Sequence, residues 1–233
     1  MKQSHGGNIY NYEAEYAMKP LDFSANINPL GMPEAARHAA EAAIAGSVHY
    51  PDPACGTLRQ CIGAHENVPD AQILCGNGAA DLIYRFPYAV RPQKALVCAP
   101  SFGEYVQALD AVGCEMISHT LKEADGFRVT EAILPSLESV QALFLCNPNN
   151  PTGLTIAPEL LTKILDACAE KGIYVLLDEC FIDFLDEPQR HSRVCDLAKY
   201  PRLVILKAFT KFYGMPGLRL GYAVCADGAF LSK

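Results

Sequence analysis

The chain has 233 residues, half of them apolar and 19% charged, which is the composition of a folded protein with a sizeable core and not of a disordered segment. Its net charge of -7 sets 26 Asp and Glu against 19 Lys and Arg, and no basic stripe gathers the cations, so a nucleic acid is not an expected partner. Every uncharged apolar run falls well short of the ~18 residues that a membrane span needs, so no bilayer contact is expected either.

Residues 1–32 read as an arm. His5-Gly-Gly-Asn8 and Asp22-Phe-Ser-Ala-Asn-Ile-Asn-Pro-Leu-Gly31 are rich in Gly, Pro and Asn, the residues of turns and loops. Residues 33–233 read as one large domain. An alanine-rich helix is expected from Pro33, well suited to a first helical turn, to Ala45, with Gly46 as its stop. A turn at His49-Tyr-Pro-Asp-Pro53 precedes a short helix over Gly56–Ala64. Ile73-Leu-Cys75 reads as a strand leading into Gly76-Asn-Gly-Ala79 and a helix to about Tyr88.

From there the pattern is regular. Ala95–Ala99 is a short apolar run that ends in Pro100-Ser-Phe-Gly103, with a helix to Val112 behind it, and Met116-Ile117 opens another strand. Ala142–Cys146 stops at a Pro-Asn turn, Pro158–Glu170 is helical, Ile173–Leu177 runs into Asp178, and Leu203–Leu206 runs towards Lys211. Gly221–Ala226 reads as a last strand before an Asp227-Gly228 turn. Such alternation predicts an α/β fold with a mostly parallel sheet between helical layers. Polar residues cluster just past the carboxyl ends of the strands, the edge at which open sheets of this kind bind ligands.

The ten cysteines occur singly, with no C-x-x-C pair. The start of the chain carries no basic-then-apolar run, so buried free thiols in a reducing cytoplasm are the expectation. No metal site is expected.

The chemistry concentrates in the run from Ala208 to Tyr222. Lys211 can serve as a nucleophilic amine if it is held in place beside an anion site. Thr210 offers a hydroxyl next to it, and Arg219, past a Gly-Met-Pro-Gly loop, can fold back as a fixed cation. An exposed loop lysine followed by a surface arginine would leave the same residues. Gly76-Asn-Gly78-Ala79 joins a strand to a helix, where free N–H groups can cradle an anion, although a plain turn also uses such glycines. Asn147-Pro-Asn-Asn-Pro-Thr-Gly153 holds Asn150 between two prolines. Asp178 ends an apolar run, so its carboxylate needs a cationic or hydrogen-bonding partner.

In this order, Tyr50-Pro-Asp, Gly76-Asn-Gly, Asn150-Pro-Thr-Gly, Asp178-Glu, Thr210-Lys and Gly217-Leu-Arg-Leu-Gly-Tyr222 resemble the pyridoxal-phosphate aminotransferases of the aspartate aminotransferase fold, in the branch containing histidinol-phosphate aminotransferase and threonine-phosphate decarboxylase. The resemblance covers the whole chain. It implies that Lys211 condenses with the aldehyde of pyridoxal 5'-phosphate and that Asp178 keeps the pyridine nitrogen protonated. It further implies that Asn150 bonds the phenolic oxygen, that Phe102 stacks on the ring, and that Gly78, Ala79, Thr210 and Arg219 hold the phosphate. Tyr50 would reach the phosphate of a neighbouring subunit, which implies a homodimer.

The arm, through His5, Gly6 and Asn26, is similar to that of threonine-phosphate decarboxylase. The implied reaction is decarboxylation of L-threonine O-3-phosphate to 1-aminopropan-2-ol phosphate in cobalamin synthesis, with transamination of histidinol phosphate as the alternative. Asn150 would meet that phosphorylated amino acid substrate too. Two departures stand out. Phe181 replaces a tyrosine common in the family, which removes one hydrogen bond of ~0.5–1.5 kcal/mol. The family's carboxyl-terminal small domain, with its carboxylate-gripping arginine, is expected to be missing, so a third reading is a chain that binds the cofactor with impaired turnover.

Overall fold

A computed structural model describes residues 6–232. Seven strands form one sheet in the order β1-β7-β6-β5-β4-β2-β3, comprising β1 (Ile73–Asn77), β2 (Lys94–Ala99), β3 (Glu115–Thr120), β4 (Ala142–Cys146), β5 (Tyr174–Asp178), β6 (Leu203–Ala208) and β7 (Leu220–Cys225). Only β7 runs against its neighbours, β1 and β6. The sheet is therefore mostly parallel, as the strand and helix alternation predicts.

The strands are apolar on both faces, and their period of two divides one run between two cores. Leu203 and Ile205 of β6 pack with Leu143, Leu145, Val175 and Leu177 on one side. Val204, Leu206 and Ala208 pack with Phe144, Cys146 and Leu176 on the other. Helices α3 (Gly56–Glu66) and α6 (Pro158–Lys171) join the first core through Ile62 and through Leu161, Ile164 and Leu165. Helices α4 (Ala79–Val90) and α5 (Glu104–Ala111) join the second through Leu82, Ile83, Phe86, Tyr105 and Leu109. Pro158 in the first turn of α6 and left-handed Gly172 behind it are the start and stop the sequence carries.

Several boundaries differ from expectation. The arm contains a helix, α1 (Ile9–Tyr16), capped by the Asn8 side chain accepting from the Asn11 amide and carrying a Tyr12–Tyr16 ring pair 4.6 Å apart. It buries no residue, so it has no core-facing stripe by which a sequence could reveal it. Helix α2 (Glu34–Ala43) does not stop at Gly46 but tightens into a 3-10 helix through Val48. Strand β1 continues through Gly76 and Asn77, expected to be loop, because they pair with Gly221 and Leu220 of β7. All ten cysteines are free, yet only Cys98, Cys146, Cys168, Cys180 and Cys225 are buried, while Cys61 and Cys195 are exposed.

Candidate active site

Five parallel strands end at one edge with a candidate residue at or just past the last position: β1 before Gly78, β2 before Phe102, β4 before Asn150, β5 at Asp178 and β6 before Thr210 and Lys211. Because β7 is antiparallel, its first residues, just after Arg219, lie on this same edge. Strand direction alone thus assembles residues from 78 to 219.

Gly78 has φ +81° and precedes the first turn of α4, a conformation that suits glycine. A Cβ there would lie 2.6 Å from Nη2 of Arg219, so the guanidinium rests directly against the turn. A Cβ on Gly221 would lie 2.7 Å from the Ala79 amide nitrogen, which brings the start of β7 against the same turn. Arg219 itself is exposed with φ +53°, and its Nη1 donates to the Pro216 carbonyl at 3.2 Å. Thr210 is buried. A helix N-terminus contributes only ~0.3–1 kcal/mol to holding an anion, and the adjacent guanidinium adds the charge that the dipole lacks.

Asp178 is 4% exposed. Its Oδ2 accepts from the Tyr105 hydroxyl at 2.6 Å and its Oδ1 from the Cys180 amide at 2.9 Å. Burial pushes this carboxyl above the ordinary aspartate range, against the pull of the Cys180 thiol, the two bonds from Tyr105 and the Cys180 amide, and the nearby Lys211 charge. Tyr105 is fully buried and packs edge-on against Phe102, centroids 5.6 Å apart. Lys211 is half-buried.

The turn after β4 is held from several sides. The Asn147 amide donates to the Asp178 carbonyl, its Oδ1 accepts from the Ile156 amide, and the buried Asn149 bonds Ser101, Thr152 and the Pro100 carbonyl. Asn150 and Asn26 face a shared cleft of about 510 Å³, walled by Ile27, Phe181, Phe184 and Leu185. Gly6 lies against the Ser24 backbone, and the Gly7 amide donates to the Ser24 hydroxyl at 2.7 Å. His5 lies outside the described residues. Tyr50 is fully exposed and takes no part in its own chain's cleft.

The residue after Asp178 looks the other way. Glu179, on the opposite face of the sheet, accepts from the Ser192 hydroxyl and the Arg193 amide, and Lys207 lies 3.9 Å from it. Lys207 Nζ also pairs with both oxygens of Glu66 at 2.9 Å, and the Tyr222 hydroxyl donates to Glu66. This group and Tyr105 escape a reading of the sequence, since the bonds join residues 141, 156 and 73 positions apart. An apolar strand interrupted by Lys207 was the one local sign.

Among the described residues no cluster of three or more His, Cys, Asp or Glu could hold a metal ion, and no helix is long and apolar enough to cross a membrane. What the edge offers is a buried carboxylate, an amine and an anion cradle. Together these suit a ligand with a cationic ring nitrogen, an electrophilic carbon and a phosphate.

Residues 18–233 match the family model "Aminotransferase class I and II". The chain is 42% identical over 234 residues to a threonine-phosphate decarboxylase of Salmonella typhimurium, covering 99% of this chain and 64% of that protein. It is 36% identical to a histidinol-phosphate aminotransferase of Cupriavidus pinatubonensis, over 88% of this chain and 54% of the relative. The crystal structure of the histidinol-phosphate aminotransferase from Clostridium acetobutylicum superposes with a TM-score of 0.84 at 31% identity, over 91% of this chain and 62% of that one. The chain thus spans just over half to just under two thirds of the length of these relatives.

Proposed function

The chain belongs to the class I and II aminotransferases, and from that premise we propose that it binds pyridoxal 5'-phosphate and decarboxylates L-threonine O-3-phosphate to 1-aminopropan-2-ol phosphate, a reaction of cobalamin biosynthesis. One observation carries the cofactor reading: the Gly78–Arg219 contact and buried Asp178 stand on the same sheet edge as Lys211. A Cβ at Gly78 would fill that cradle, and a buried carboxylate held by one hydroxyl, one thiol and one amide still has acceptor capacity left for a cationic ring nitrogen. Both features fit the group.

When bound, pyridoxal phosphate supplies an electron sink for the bond broken at the substrate's Cα. Asp178 would hold the proton at the pyridine nitrogen, and that cation would offset the cost of burying the carboxylate. Gly78, Ala79, Thr210 and Arg219 would hold the phosphate, Asn150 would bond the phenolic oxygen, and Phe102 would cover the ring. Lys211 would supply the amine for the cofactor's aldehyde and would carry the proton at the substrate's Cα. Asn26, Gly6 and, by the resemblance, His5 would meet the substrate with Asn150. The 42% identity across nearly the whole chain favours decarboxylation, and the 36% relative and the 0.84 superposition support transamination of histidinol phosphate as the second reading.

A homodimer is part of the reading. Helices α1 and α2 bury no residue within the chain, and Tyr10, Phe23, Leu30, Val48 and Tyr50 are exposed. An apolar surface of this kind fits a second copy, and Tyr50 then reaches that copy's phosphate cradle.

The test is borohydride reduction of the cofactor-loaded chain followed by peptide mapping, with label expected on Lys211. Label elsewhere, or none, overturns the site. Carbon dioxide released from O-phosphothreonine supports decarboxylation, and glutamate formed from histidinol phosphate and 2-oxoglutarate supports the second reading. Labelled Lys211 with neither product would leave a cofactor-binding chain with impaired turnover.

A further inference from the structure

The geometry points to Asn28 as a positioning residue that ties the amino-terminal arm to the loop carrying Lys211, so that the cleft wall and the amine move as one piece. The Asn28 amide donates to the Lys211 carbonyl at 3.0 Å, and its Nδ2 donates to the Phe212 carbonyl at 2.8 Å across 184 residues of sequence. The residue is held for this task, because its side-chain Oδ1 accepts from the Leu30 amide at 3.0 Å and its main-chain carbonyl accepts from the Gly31 amide at 3.1 Å.

A second contact backs the first. Gly214 has φ +61°, and a Cβ there would lie 2.6 Å from the carbonyl carbon of Gly31 and 3.0 Å from the Met32 amide nitrogen. Arm and loop therefore meet backbone to backbone at 31–32 and 214 as well as at 28 and 211–212. The circuit closes through the cleft: Phe212 packs edge-on against Phe184 at 5.3 Å, and Phe184 shares the cleft wall with Asn26 and Ile27, one and two residues before Asn28.

The consequence is a shared position. A ligand that draws Asn26 inward pulls on Asn28, and Asn28 holds two successive carbonyls of the segment that aims Lys211. The Lys211 carbonyl accepts from the Asn28 main-chain amide and the Phe212 carbonyl from the Asn28 side chain, so both are satisfied without a regular element, and the loop is held where strand β6 has already ended. Asn28 is distinct from Asn26: it faces the chain's own backbone, not the cleft.

Hydrogen–deuterium exchange of the cofactor-free chain tests this without reference to catalysis. Asn28→Asp keeps the size and the acceptor for Leu30 but removes the donor to Phe212. Exchange is expected to quicken together at residues 26–32 and 210–214, with strand β6 as protected as before. Gly214→Ala, which pushes the two segments apart and leaves Asn28 intact, should reproduce the pattern. Faster exchange in the arm alone, or in neither segment, for both variants overturns the proposal.

The kinetic readout rests on the function proposed above. With pyridoxal phosphate and O-phosphothreonine, Asn28→Asp should lower kcat about ten- to a hundredfold, the scale of a misplaced reacting group, with cofactor affinity unchanged. A rise in KM alone would overturn it, since the arm would then only touch substrate. If the parent chain shows no turnover, the proposed function fails while the exchange result still decides the tether.

Discussion

Asp178 and Glu179 are neighbours in sequence with opposite surroundings, because successive strand residues point to opposite faces. Asp178 turns to Tyr105 and the candidate cofactor site, and Glu179 to Lys207. The Tyr105 hydroxyl reaches Asp178 at 2.6 Å, beside the thiol and the amide of Cys180. Tyr105→Phe is expected to cost about 1.5–3 kcal/mol of unfolding free energy, the range for a hydrogen bond to a charged group. The loss should be largest where Asp178 is ionised and should shrink as pH falls and the carboxyl protonates. Urea titrations at several pH values read it as a lower midpoint at constant slope. An unchanged midpoint at high pH would mean that the amide and thiol of Cys180 hold the carboxylate without the Tyr105 hydroxyl.

At the scale of elements, the Glu66–Lys207–Glu179–Tyr222 group fastens α3, the end of β5, β6 and β7 beneath the edge that carries Lys211. Burial raises Glu179 from 4.5 to about 7, against the pull of Lys207, Ser192 and the Arg193 amide. The folded chain therefore keeps a proton that the unfolded chain releases, so this group's contribution to stability is present below pH 4.5 and is lost as pH rises through about 7. A shift of that size corresponds to roughly 3 kcal/mol. Thermal unfolding should show stability falling over this window, and Glu179→Gln should flatten the fall, leaving the contribution of Asp178 and Asp183, which burial also raises. An equal slope in the variant would remove Glu179 from the account. Lys207 cannot be tested by simple truncation, since one unpaired member of a buried ion pair costs about 3–5 kcal/mol by itself.

For the whole molecule, the exposed apolar residues before α3 and the solvent-facing Tyr50 lead to a prediction about assembly. If two copies share sites, Tyr50→Ala and Lys211→Ala chains should each be inactive alone, and mixing them after unfolding and refolding should restore activity, since one of the two sites in a mixed pair is then complete. Absence of recovery, with association intact by sedimentation, would assign each site to a single chain. Much of this architecture is legible in the sequence: short apolar runs announce the strands, and each candidate at the sheet edge stands at or just past the end of one, from Asn150 behind Ala142–Cys146 to Asp178 behind Ile173–Leu177. Local periodicity and turn chemistry suffice for that, because an apolar run that stops at Gly, Pro or Asn marks the neighbourhood of a strand's end. Helix α1 escaped because it buries nothing, and the extension of β1 through Asn77 because a partner strand imposed it. Tyr105 against Asp178, Asn28 against Lys211 and Lys207 against Glu66 were decided only by the tertiary structure. Each of these bonds joins residues far apart in the chain, and no local pattern of charge or polarity says which distant group a folded backbone will bring within 3 Å.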